Sequence, residues 1–108
     1  RQRSGSREAF DREKLMRAVR NSVGKYFDSD LDVQSIVDQV EELIYERGKD
    51  EIPSSLIGET ILEVLSDTNE MAYVRFASVF KEFKTLDDLE RSIAEQRERM
   101  AKRKKEKE

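Results

Sequence analysis

Apolar residues recur every three or four positions along most of this chain, the spacing of amphipathic α-helices. Four stretches between residues 11 and 83 carry the pattern, and each begins near a residue type that caps helices. The expected caps are Asp11 for the first helix, Asp30 or Asp32 for the second, Ser54 or Ser55 for the third, and Thr68 or Asn69 for the fourth.

A fifth helix is predicted from about Leu86, because Thr85 and Asp88 have the spacing of a capping box with Asp in place of the preferred Glu. Apolar partners stop beyond Ala94. We therefore expect a folded domain over residues 1–94 and a charged helical tail over 95–108 that frays.

Short extended segments are expected to add a small β element to these helices. Residues 4–6 read Ser-Gly-Ser and predict a turn, with residues 8–10 as the return strand of a hairpin. Glu51 and Ile52 could form a further bridge-like strand that pairs with the hairpin. The predicted class is mainly α with a β-hairpin or three-strand cap, an α+β fold.

The predicted fourth helix contains an arginine within an apolar run. Residues 72–83 read Ala-Tyr-Val-Arg-Phe-Ala-Ser-Val-Phe-Lys-Glu-Phe, so Arg75 interrupts the run and Lys81 lies near its end. A buried guanidinium is costly unless it is paired, so Arg75 is expected to meet a carboxylate, a helix end or an anionic ligand. A structural ion pair is favoured over a ligand contact.

Composition narrows the possible chemistry. The 108 residues are 42% charged and 36% hydrophobic, which fits one small domain with a single core. Absence of Cys and His from the sequence excludes disulfides, thiolate or imidazole metal sites and His- or Cys-based catalysis within it, whereas carboxylate ion sites stay open. No phosphate-binding P-loop or activated nucleophile is present, so we expect no enzyme activity. No membrane-length apolar run or signal peptide is evident, which favours a soluble, cytoplasmic protein.

Charge is distributed unevenly. Residues 1–20 contain seven basic and three acidic residues, residues 21–94 seven and seventeen, and residues 95–108 seven and four. A basic N-terminal segment followed by an acidic domain is better suited to binding one localised anion than to binding duplex nucleic acid. The tail from Arg97 to Lys107 could touch DNA phosphates, but its interspersed Glu residues favour a solvated helix.

The opening residues resemble the ATP-cone family, whose first strand begins Val-x-Lys-Arg-Asp-Gly. Residues 1–5 keep the arginine and glycine of that motif as Arg3 and Gly5, while Gln2 and Ser4 replace its lysine and aspartate. The stretch 51–58 and the helix 72–83 look like those of the NrdR family, bacterial repressors of ribonucleotide reductase genes. The resemblance covers about residues 1–84.

The resemblance implies a regulatory domain that senses ATP or dATP and acts by nucleotide-dependent oligomerisation. It also implies an N-terminal zinc ribbon with four cysteines that binds DNA, so zinc and DNA would belong to a segment upstream of these 108 residues. The first residue is Arg rather than Met, which suggests a fragment or processed chain.

Three cations are candidates for the nucleotide phosphates. Arg3 in the hairpin and Lys14 in the first turn of the first helix can meet a polyphosphate, since helix N-termini also favour anions. The resemblance implies that Lys81 reaches the phosphates as well. The alternative for Arg3 and Lys14 is an ordinary solvated surface charge.

Four further residues are assigned to the nucleotide by the resemblance alone. It implies that Glu8 and Asp11 approach the sugar and base, that Ser54 supplies a hydroxyl, and that Ile57 packs against the base. Each also has a structural alternative: Glu8 could pair with a neighbouring cation, Asp11 and Ser54 could be only helix caps, and Ile57 could be only core.

Two other functions remain open from the sequence. The chain could be the allosteric ATP-cone of a ribonucleotide reductase, or a helical interaction module without a ligand. Flanking sequence would distinguish the repressor from the reductase. A cysteine-rich upstream segment supports the repressor, and several hundred further residues support the reductase.

Overall fold

A computed structural model describes residues 7–9, 11–47 and 51–107. The elements follow in the order β1 (Arg7–Ala9), α1 (Arg12–Val23), α2 (Asp30–Glu46), β2 (Glu51–Pro53), α3 (Ser54–Thr68), α4 (Glu70–Phe80) and α5 (Leu86–Lys107). A short 3-10 helix, Gly24–Tyr26, follows α1 directly.

Two of the predicted helix caps are confirmed. The Asp11 side chain accepts hydrogen bonds from the N–H groups of Glu13 and Lys14 at the start of α1. Asn69 caps α4 by accepting from the N–H of Ala72 at 2.9 Å. These side chains satisfy N–H groups that have no partner within the helix.

Two other cap assignments are wrong, and at each helix the nearer candidate lies one position after the observed cap. Ser29 caps α2 by accepting from the N–H of Leu31, so Asp30 is already helical. Pro53 occupies the cap position of α3 without a side-chain hydrogen bond, and Ser54 is the first helical residue. At α2, Ser29 and Asp30 are adjacent residues of capping type, and sequence cannot rank them; at α3 the cap residue is a proline, which the search for capping side chains passes over.

The core lies among the first four helices. Helix α1 packs on α2 and α4, α2 packs on α3, and α3 packs on α4, so the four close around one another. Each contributes the apolar stripe that its periodicity predicts. The buried apolar residues are Leu15, Val19, Val23, Val33, Ile36, Val37, Val40, Ile44, Ile61, Leu62, Val64, Leu65, Ala72, Tyr73 and Ala77.

The fifth helix begins with the predicted capping box. The N–H of Asp88 donates to Thr85 Oγ1 at 3.1 Å, and the Asp88 carboxylate accepts from the N–H of Thr85 at 3.2 Å. The helix continues to Lys107. Gln96 is buried and donates to the carbonyl of Ser66 at 2.8 Å, so contacts with α3 continue beyond Ala94. The division of the chain between residues 94 and 95 stays a prediction.

The predicted α+β class is wrong. The described residues form five α-helices, and their only extended segments are two strands of three residues that pair as one antiparallel ladder. Glu8 lies opposite Ile52 in it, so the expected pairing of these two segments is present. Strands this short do not make a separate layer, and the described fold is all-α rather than helices with a three-strand cap. The predicted turn at residues 4–6 lies outside the described residues.

The structural ion pair favoured for Arg75 is absent among the described residues. Its side chain is exposed, and it makes no ion pair with any described residue. Tyr73 and Ala77 are buried two positions to either side, and two residues turn a helix by about 200°. Arg75 therefore lies on the solvent face of α4. The apolar run in the sequence includes positions that lie outside the buried face of this helix.

Candidate functional site

The seven predicted nucleotide-binding residues are described to different extents. Arg3 lies outside the described residues. Glu8 is the central residue of β1 and Ser54 is the first residue of α3, and only their backbone positions are described. Asp11, Lys14, Ile57 and Lys81 are described with their side chains, and they lie on α1, α3 and at the end of α4. That these seven residues form one site stays a prediction.

The β ladder connects the start of α1 with the start of α3. Arg7 lies opposite Pro53, directly before α3, whereas Ala9 lies opposite Glu51. Because the strands are antiparallel, the chain leaves for α1 from the other end of the ladder, about 7 Å away at roughly 3.3 Å per residue. Both helix N-termini therefore flank one short ladder, and the positive ends of helix dipoles favour anions.

The two N-termini differ in how their N–H groups are used. At α1, Asp11 accepts from two of them and adds a negative charge. At α3 the cap residue is Pro53, whose side chain cannot accept a hydrogen bond from the first turn.

Gly58 allows the end of α4 to approach the first turns of α3. Gly58 is buried, and a methyl group in its place would overlap the ring of Phe80. Phe80 is in turn stacked on Phe76, with ring centroids 5.9 Å apart. This contact holds the C-terminal turn of α4 beside the start of α3, and Lys81 is the next residue.

A tight C-terminal motif ends α4 at Lys81. The N–H of Phe83 donates to the carbonyl of Ser78 at 3.0 Å, and the N–H of Glu82 donates to that of Val79 at 3.2 Å. Glu82 takes the left-handed conformation with φ 55°, as the residue after the cap does in a Schellman motif. Lys81 is exposed and makes no ion pair with a described residue, so its charge is available to a ligand.

Asp11 and Ile57 have the structural roles that were their alternatives. Asp11 is a helix cap, and Ile57 is partly buried against the core. These contacts do not exclude a nucleotide contact, since a capping carboxylate keeps further acceptor capacity and a partly buried side chain keeps an exposed edge. Their role toward a ligand stays a prediction.

Arg12, in the first turn of α1, is paired with two carboxylates of α2. Its guanidinium lies 2.8 Å from Asp38 and 2.7 Å from Glu41, both on α2. The hydrogen bond with Asp38 is the main reason that the pKa of Arg12 is raised. Arg12 therefore fastens α1 to α2.

The sequence analysis did not identify the roles of Gly58 and Phe80. A glycine within a helical pattern was the available signal, because an isolated glycine in a helix often marks a close approach. The partner could not be inferred, since it lies on another helix 22 positions further along the chain.

The described residues offer neither a metal site nor a membrane span. No group of three or more carboxylates within them is arranged to hold a metal ion. Among the described helices, none combines the length and the apolar character needed to cross a bilayer.

These features agree with the comparison with known families. The family model described as the ATP cone domain matches residues 1–86. The chain belongs to the ATP cone domain family.

Its relatives include proteins named Transcriptional repressor NrdR. Those from Petrotoga mobilis and Nocardia farcinica are 42% and 43% identical over 93 and 96 residues, covering 86% and 88% of this chain. One from Streptococcus equi subsp. zooepidemicus is 34% identical over 103 residues, 95% of this chain. The chain spans 62%, 61% and 63% of the lengths of these three proteins.

Proposed function

We propose that this chain is the nucleotide-sensing domain of a transcriptional repressor of ribonucleotide reductase genes. The match to the ATP cone domain over residues 1–86 carries the proposal. The names of the relatives favour a repressor over the reductase itself. ATP and dATP are the proposed ligands, bound without hydrolysis, and DNA would be bound by a zinc ribbon outside these 108 residues.

The proposed site lies around the β ladder. Lys14, from the first turn of α1, and Lys81, after α4, supply positive charge, together with Arg3. The first turn of α3, whose cap residue is Pro53, supplies backbone N–H groups. Glu8, Asp11, Ser54 and Ile57 are the proposed contacts to the sugar and base.

The proposed output is a change in assembly. ATP and dATP differ by one hydroxyl, and a site that hydrogen-bonds this group can turn the difference into a bias of a few kcal/mol between two states. A ligand shifts such an equilibrium only if it binds the two states unequally. We therefore propose that the two nucleotides favour different oligomers.

Light scattering tests this proposal. The molar mass is measured without nucleotide, with ATP and with dATP, for the wild type, Lys14→Ala and Lys25→Ala. We expect the mass of the wild type to depend on the nucleotide, and this dependence to be lost in Lys14→Ala. Lys25 is exposed beyond the other end of α1, so Lys25→Ala should behave like the wild type. One mass under all three conditions for the wild type would remove the assembly proposal.

A further inference from the structure

A cleft of about 380 Å³ lies between α3, α4 and α5, and we call it the α5 cleft. Tyr73, Lys81 and Arg99 are among the residues that line it. Of these, only Lys81 belongs to the nucleotide site proposed above. The cleft is within the size range of small-molecule sites, roughly 300–1,000 Å³.

Tyr73 brings an unused hydrogen-bond donor to this cleft. Its side chain is only 1% exposed, yet it lines the cleft. Its hydroxyl makes no hydrogen bond with any described residue. Solvent can reach this hydroxyl at the cleft wall, so it can donate a hydrogen bond to an acceptor atom of a ligand in the cleft.

Two cations line the same cleft as Tyr73. The guanidinium carbon of Arg99 lies 5.4 Å from the centroid of the Tyr73 ring, a cation–π contact that holds Arg99 over the ring. Neither Arg99 nor Lys81 makes an ion pair within the described part of the chain. Both charges are therefore uncompensated by direct contact.

Acidic residues at the cleft do not cancel this charge. Glu63 is 3.6 Å from Arg47, which also lines the cleft, and the two offset each other. Glu59 therefore remains as one unpaired negative charge among the lining residues, against the two positive charges of Lys81 and Arg99. The lining residues carry a net charge of +1, counting three cations and two carboxylates.

We propose that the α5 cleft binds a phosphate-bearing anion through the Tyr73 hydroxyl, Arg99 and Lys81. Arginine and lysine are the side chains that most often bind phosphate oxygens, and a tyrosine hydroxyl donates to an anionic acceptor. The site goes beyond the proposed nucleotide site, because Tyr73 and Arg99 take no part in that one. Occupancy would tie α5 to α4.

Titration calorimetry with inorganic pyrophosphate at constant ionic strength tests the α5 cleft. Tyr73→Phe removes the hydroxyl and keeps the ring under Arg99, so affinity should fall about tenfold while the melting temperature stays unchanged. Arg99→Gln should weaken binding at least as much. Arg97→Gln removes a charge from the same helix at an exposed position that does not line the cleft, and should bind like the wild type.

A Lys14→Ala variant separates this site from the nucleotide site. The proposal requires Lys14→Ala to keep pyrophosphate affinity within about twofold of the wild type. Loss of affinity in Lys14→Ala would place the pyrophosphate at the nucleotide site and overturn the proposal. Absence of binding to the wild type, or unchanged affinity in Tyr73→Phe and Arg99→Gln, would overturn it too. Failure of ATP to bind would count against the nucleotide site alone, since pyrophosphate at the α5 cleft is measured separately.

Discussion

Gly58 is the residue on which the approach of α4 to α3 depends. The side chain that it lacks would occupy the space of the Phe80 ring, and the stacking of Phe80 on Phe76 restrains that ring. Two effects of adding a methyl group oppose each other. Alanine gains about 1 kcal/mol over glycine in a helix, whereas overpacking costs typically about 1–3 kcal/mol.

We expect Gly58→Ala to lower the free energy of unfolding by up to about 2 kcal/mol, because the overlap with Phe80 outweighs the gain in helix propensity. Urea unfolding measures the change. Gly24→Ala is the matched control: its added carbon would be in ordinary contact with the Arg20 side chain, at 3.5 Å, and its backbone is right-handed helical. Equal stability of the two variants would contradict the close-approach role of Gly58.

Glu82 is held in a conformation that suits glycine better. Its φ of 55° is in the left-handed region, where a side chain costs about 1–2 kcal/mol. The hydrogen bonds of the α4 C-terminal motif hold it there. This motif also determines the position of Lys81, since the two residues are adjacent.

Glu82→Gly should therefore raise the free energy of unfolding by about 0.5–1 kcal/mol, because relief of the strain exceeds the extra entropy of glycine in the unfolded chain. Urea unfolding again provides the measurement. Glu90→Gly, at an exposed position inside α5, should instead lower stability by about 1 kcal/mol. A destabilised Glu82→Gly variant would refute the strain at this residue.

At the scale of single elements, the start of α5 depends on one carboxylate. Asp88 accepts from the N–H groups of Lys84 and Thr85, at 2.8 and 3.2 Å, and lies 3.3 Å from Arg91. These contacts lower the pKa of Asp88, and the hydrogen bond from Lys84 is the largest cause. A carboxylate with a lowered folded-state pKa stabilises the fold above its unfolded pKa of about 3.9, and this contribution is lost as the pH falls through the lower folded value.

We expect Asp88→Asn to be less stable than the wild type at pH 7, and the difference to shrink as the pH falls below about 4. Urea unfolding at pH 7, 5, 4 and 3 measures it. Asp87→Asn is the control, because Asp87 is in the same helical turn but makes no hydrogen bond or ion pair with another described residue. A difference that does not change with pH would mean that the charge of Asp88 is irrelevant to the cap.

Local signals made most of the elements predictable. Three helix starts depend on side chains within a few residues of the N–H groups they bind: the caps Asp11 and Asn69, and the capping box of Thr85 and Asp88. Such local contacts can be predicted from sequence. Helical periodicity likewise predicted the four core helices. The cap of α2 was misplaced because Ser29, Asp30 and Asp32 are all suitable types.

Contacts between distant polar residues could not be predicted. Gln96 reaches the carbonyl of Ser66 across 30 positions, and Arg99 lies over Tyr73. A polar residue in a charged helix gives no periodic signal that it will be buried. A helix beyond Ala94 was predicted and is confirmed, whereas the burial of Gln96 within it was not predicted. The α+β class was wrong because the turn and strand signals at the start of the chain were taken to predict a β layer. The described strands have only three residues each and do not form one.

At the scale of the whole molecule, the segments that carry the proposed site are far apart in sequence. Strand β1 is paired with β2, α1 and α3 begin on either side of that ladder, and Gly58 holds the end of α4 beside α3. Four helices pack around a single core, so the relative positions of these segments are tied to folding as a unit. The residue types of the site could be proposed from the family resemblance, whereas the Gly58–Phe80 contact needed the structure.

Calorimetric titration of ATP into the wild type and into Lys14→Ala and Lys25→Ala is the most direct test of nucleotide binding. We predict saturable binding to the wild type and to Lys25→Ala, and an affinity at least about tenfold weaker for Lys14→Ala, the usual effect of losing a hydrogen bond to a charged group. No heat with the wild type, or one affinity for all three proteins, would contradict a nucleotide site at the start of α1.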